Sequence, residues 1–110
     1  MIGKNKRWRV IIADAIIRLL DDYRRNDIEA MDFVGDVAEQ DAELNDPRNI
    51  KDADLSDAWN SADTFCDAVT SGALDKIRRE RAAEYLEEIA LKLRNGESIE
   101  NLIISLNGQF

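Results

Sequence analysis

Apolar positions recur at intervals of three and four along most of this chain, and no run alternates at period two, so the pattern predicts helices throughout. The most apolar stretch is Trp8 to Tyr23, WRVIIADAIIRLLDDY. On a helix at about 100° per residue, Asp14, Arg18, Asp21 and Arg25 share one narrow polar wedge. Trp8, Val10, Ile11, Ile12, Ala15, Ile16, Ile17, Leu19, Leu20 and Tyr23 fill most of the remaining circumference. A helix this apolar has to be covered on several sides. The spacing therefore predicts a first helix from about Asn5 to Arg25 at the centre of the fold. Asp14–Arg18 and Asp21–Arg25 are expected as i,i+4 pairs on its exposed wedge, contributing ~0.2–0.5 kcal/mol each.

Four further helices follow. The second is expected after Asn26-Asp27, either of which can cap it, with Ala30, Met31, Phe33, Val34, Val37, Ala38 and Leu44 on one side. Gly35 weakens it, and Asn45-Asp46-Pro47 ends it, because a residue before proline is pushed out of the helical region. After a polar loop, a third helix starts near Asp52 or Asp54. Its stripe is Leu55, Ala58, Trp59, Ala62, Phe65, Cys66 and Val69, and Ser71-Gly72 stops it. The fourth is expected from about Leu74 to Arg94, with Leu74, Ile77, Ala82, Tyr85, Leu86, Ile89 and Leu93 inward. A short fifth is capped by Ser98, turns Ile99, Leu102, Ile103 and Leu106 inward, and closes at Asn107-Gly108. The expected fold is an all-α, single-domain bundle of about five helices over residues 1–110, its hydrophobic N-terminal helix surrounded by the others.

Composition narrows the class. With 110 residues the chain can build one packed core. A single cysteine excludes an internal disulfide framework, and a reducing, cytoplasmic setting is the expectation. The basic N-terminus before an apolar run has the outline of a secretion signal, but Asp14 and Arg18 interrupt the run. No stretch reaches the ~20 apolar residues of a membrane span.

Charge changes the picture most. The net charge of −8 is segregated: residues 1–25 carry +4, residues 26–75 carry −12 and residues 76–110 carry 0. Such separation speaks about electrostatic partners. On the expected second helix, Glu29, Asp32, Asp36, Glu39 and Glu43 are spaced 3, 4, 3 and 4, with no lysine or arginine between them. They would form one arc about 80° wide and roughly 21 Å long at 1.5 Å per residue. The stripe is open to three readings: a solvated face, a docking face for a basic partner surface, or a partner for the chain's own basic cluster. That cluster, Lys4, Lys6, Arg7 and Arg9, sits at a helix start, where the macrodipole favours anions. It calls for an acidic neighbour, either this chain's middle third or a second copy. Asp57, Asp63 and Asp67 on the third helix extend the acidic surface, as do Asp46, Asp52 and Asp54 before them. In size and charge layout the chain is similar to some small acidic phage-encoded inhibitors of restriction or CRISPR systems, with no shared motif.

Other candidate chemistry is thin. Asp41 and Arg78 both fall on apolar sides of their helices, with Arg81 close by; the expected resolutions are an inter-helix ion pair, with Asp41 or a nearby acid meeting Arg78, or snorkelling arginine stems. Asp41, Glu43 and Asn45 with Asp52 imitate a calcium loop, but Asp46 replaces the turn glycine and Pro47 follows. One cysteine and no histidine serve zinc poorly. Cys66 fits a small buried hydrophobe. Without histidine the commonest general base is missing, and there is no phosphate-cradling glycine loop. The expectation is a non-enzymatic acidic protein-binding module, without metal or cofactor. It would dock the Glu29, Asp32, Asp36, Glu39, Glu43 face on a basic, nucleic-acid-binding site of a partner, as an inhibitor or regulator. The alternatives are an assembly protein self-associating through the first helix, or nucleic-acid binding through Lys4, Lys6, Arg7 and Arg9.

Overall fold

The structure, a computed structural model, describes residues 4–44 and 50–110, with only the backbone of Lys4 and Asn5. Among the described residues five α-helices follow one another: α1 (Lys4–Arg24), α2 (Phe33–Gln40), α3 (Ala53–Thr70), α4 (Lys76–Arg94) and α5 (Glu100–Asn107). A 3-10 turn, Ile28–Ala30, lies between α1 and α2. The expected polar turn at Asn45-Asp46-Pro47 lies outside the described residues. No described helix is long and apolar enough to cross a membrane.

The all-α bundle is the architecture observed. Helix α1 packs against α2, α3 and α4, while α5 packs against α3 and α4. Ile12, Ala13, Ala15, Ile16, Leu19 and Leu20 of α1 are fully buried, Ile17 and Tyr23 are half-buried against the core, and Val10 is exposed. The α3 stripe is buried as expected from Leu55 through Val69, and Asp52 caps that helix by accepting the Leu55 N–H at 3.2 Å. Gly72 and Gly96, at φ +74° and +77°, take the left-handed turns that end α3 and α4. Asn26, at φ +59°, does the same for α1.

Helix α2 departs from expectation. A continuous helix to Leu44 would place Met31 and Phe33 about 200° apart. The chain instead extends at Met31, and both side chains are buried. The Asp32 carboxylate accepts the Gly35 N–H at 2.9 Å and restarts the helix there. At the far end Asp41 is extended and leaves the helix after only eight residues. Helix α4 keeps its expected inward face but departs at Ile77. Asp75 caps it, Ile77 is exposed, and the buried face is Ala82, Ala83, Leu86, Ile89, Ala90 and Leu93. On α5, Ile99 occupies the cap position; the Ser98 hydroxyl accepts only the Glu100 N–H, at 3.4 Å.

Candidate functional site

The basic start of α1 meets acids from the middle of the same chain. Asp41 is buried, and its Oδ2 accepts the Trp8 indole N–H at 2.9 Å and lies 3.0 Å from Arg7 Nη1. Its Oδ1 accepts the Glu43 N–H at 2.9 Å. Arg9 grips Asp52 with two parallel bonds, Nε to Oδ2 at 2.8 Å and Nη2 to Oδ1 at 2.9 Å, and reaches Asp54 at 3.5 Å. A fork of this kind is the stronger form of ion pair. Asp52 therefore serves Arg9 and the α3 N-terminus together. The expected Asp41–Arg78 pair does not form. The extended backbone at Asp41 turns its carboxylate toward α1, and Arg78 is exposed beside Asp75 of its own helix, at 3.8 Å.

The wedge on α1 is paired differently from its expected i,i+4 contacts. Asp14 binds Arg94 of α4, Arg18 lies 3.6 Å from Glu39 of α2, and Arg25 binds Asp22. Arg24 reaches Glu87 of α4 at 3.2 Å. For Asp14, Arg18 and Arg24 neighbouring helices supply better-placed charges than the next turn of α1, while Arg25 pairs locally.

The five acids expected in one helical row are spread over four kinds of backbone. Glu29 lies in the 3-10 turn, Asp32 is the α2 cap, Asp36 and Glu39 are on α2 itself, and Glu43 follows it. Asp36 and Glu39 face α1. Burial raises the Asp36 pKa; Arg18 opposes that, while Asp22, Glu39 and Asp32 add to it. One Asp36 oxygen, Oδ2, has neither solvent access nor a hydrogen-bond partner among the described residues.

A second group of acids forms around Cys66, where α2 begins beside α3. The Cys66 thiol donates to the Met31 carbonyl at 3.5 Å. Burial pushes its pKa up, as do the negative charges of Asp67, Asp63 and Asp32, so the thiol is held protonated. Asp63 titrates higher because of burial and then Asp67, and Asp57 because of burial and then Asp54. The outward residues of α3 include Asp57, Asn60, Thr64 and Asp67, and neither α2 nor α3 contains a lysine or arginine. The acidic face is thus a patch shared by the α2 cap and α3. The third-helix acids were legible as part of it; that Asp32 would join them was not, because it follows from the break at Met31.

Among the described residues no three acidic, cysteine or histidine side chains converge as metal ligands. Asp52, the last position of the calcium-loop spacing, is held by Arg9. Comparison of the chain with protein-family models, curated proteins and solved structures finds no match.

Proposed function

We propose that the protein is a non-enzymatic acidic binding module that docks the α2–α3 face on a basic, nucleic-acid-binding surface of a partner protein and regulates it. The observation that carries this reading is the run of carboxylates from Asp32 across Asp63 and Asp67 to Asp57, on two helices without a cation. Other carboxylates pair with arginines, as Asp14, Asp41, Asp52 and Glu87 do, and as Glu39 and Asp54 do on the sides of α2 and α3 that meet α1. Like charges left together oppose folding slightly and favour a cationic surface arriving from outside. The carboxylates would then stand where nucleic-acid phosphates otherwise bind.

The test replaces Asp32, Asp63 and Asp67 with asparagine. Asparagine caps a helix as well as aspartate does, so α2 keeps its start. Proteins captured from the native host by the wild-type chain at low salt should be lost at high salt and lost with the triple variant. Undiminished capture by a folded triple variant would reduce this patch to a solvated face.

A further inference from the structure

We infer that the cleft between the start of α1 and the end of α4 binds a small phosphate-bearing ligand through Lys6, Arg9 and Arg94. The cleft encloses about 560 Å³ and is lined by these three cations with Leu93, Asn95 and Gly96. Among the described residues no carboxylate lines it. A second cavity, about 680 Å³, differs in kind: there Arg24, Lys76 and Arg79 are accompanied by Glu80 and Glu84. Three cations converging without an acid between them stand out in a chain of net charge −8.

The acids that hold the two arginines lie outside the lining. Asp52 and Asp54 engage Arg9 through Nε and Nη2, and Asp14 engages Arg94 through Nη2. Each guanidinium is fixed by carboxylates outside the lining, and Arg9 Nη1 is buried beside the cleft without a hydrogen-bond partner among the described residues. Planar guanidinium groups held this way are suited to phosphate oxygens, and Lys6 adds an exposed point charge on a flexible stem. Cationic groups from three side chains match the three oxygens of a phosphoryl group better than the two of a planar carboxylate. At the end of α4, Asn95, Gly96 and Glu97 donate their N–H groups to the Leu91, Leu93 and Lys92 carbonyls. The positive end of the α1 macrodipole offsets the negative end of α4 here, so the side-chain cations decide the sign of the cleft.

The occupant is a small molecule rather than a polynucleotide. The volume lies within the several hundred Å³ usual for small-ligand sites. Arg7, which would extend a basic track, is turned to Asp41 instead. The acidity of the chain repels a long polyanion. This site is separate from the acidic face and does not depend on it.

The experiment is a nuclear magnetic resonance titration of the full chain with inorganic pyrophosphate at constant ionic strength. Saturable shifts are expected at the amides of Arg94, Asn95 and Gly96. Lys6→Glu and Arg94→Gln should each weaken apparent affinity about tenfold, the loss of one charge-assisted contact. If Arg94→Gln disturbs folding by freeing Asp14, the exposed Lys6→Glu decides. Three results would overturn the inference: no saturable shift at millimolar pyrophosphate, unchanged affinity in folded Lys6→Glu, or tighter binding of an oligonucleotide through the same residues.

Discussion

Asp36 and Asp41 sit five residues apart and meet opposite surroundings. Asp41 accepts from Trp8 and the Glu43 backbone and pairs with Arg7, so its burial is fully compensated. Asp41→Ala strands the buried Trp8 N–H and should cost about 2–3 kcal/mol in urea unfolding, the price of an unmade buried bond and a lost charge. Asp36 keeps an oxygen without a partner among the described residues, and burial raises its pKa. Its folded form therefore holds a proton more tightly than the unfolded chain, whose carboxyl sits near 3.8. Ionisation then opposes folding, and stability falls as pH rises from the unfolded value through the folded one. Asp36→Asn should be more stable than wild type at neutral pH. The advantage should shrink as pH falls through the folded-state pKa and be gone below the unfolded one, as chemical unfolding at a series of pH values would register.

At the scale of elements, α2 is decided by one contact that helix periodicity does not contain. A Cβ placed on Gly35 would lie 2.3 Å from Asp32 Oδ2, the same carboxylate whose Oδ1 caps the helix. In an ordinary helix interior, glycine to alanine gains up to ~1 kcal/mol. Here Gly35→Ala must push the cap aside, and dislodging a cap costs about 0.5–2 kcal/mol. Gly35→Ala should therefore be neutral to destabilising in the wild type and stabilising in an Asp32→Ala background, a sign reversal that a double-mutant cycle would measure. The long helices were legible because their apolar stripes span many turns and their caps, Asp52, Gly72 and Gly96, are local. Helix α2 was not, because its residues also fit a longer helix. The choice was made by burying Met31 and Phe33 together and by turning Asp41 toward Trp8. On α4 the miss is one of angle: at about 100° per residue Ile77 stands about 180° from Leu86 and about 160° from Leu93, so the helix itself turns it outward.

Across the whole molecule, segregated charge along the chain becomes both internal pairing and an uncompensated face. The segregation itself was legible from composition by thirds. Which acids would neutralise the basic start of α1 was not, since Arg9–Asp52 and Arg7–Asp41 each join elements far apart in sequence and depend on how the helices pack. The acids left over define the proposed docking patch. Attraction by that patch acts over about 10 Å at 0.1 M salt and about 3 Å at 1 M. Its association rate should therefore fall steeply with added salt while dissociation changes less, and the Asp32, Asp63, Asp67 triple asparagine variant should flatten that dependence in stopped-flow or surface-binding measurements.

The contact between Trp8 and Asp41 also has an optical consequence. The chain has two indoles in distinct settings: Trp59 stands edge-on to Phe33, with ring centroids 5.1 Å apart, while Trp8 is hydrogen-bonded to a carboxylate. An indole excited beside a fixed negative charge emits differently from one packed against a ring. Release of the segment after α2 from the start of α1 would change the Trp8 emission and leave that of Trp59 in place. The protein thus carries its own gauge for separating a local opening at this junction from the loss of the whole fold.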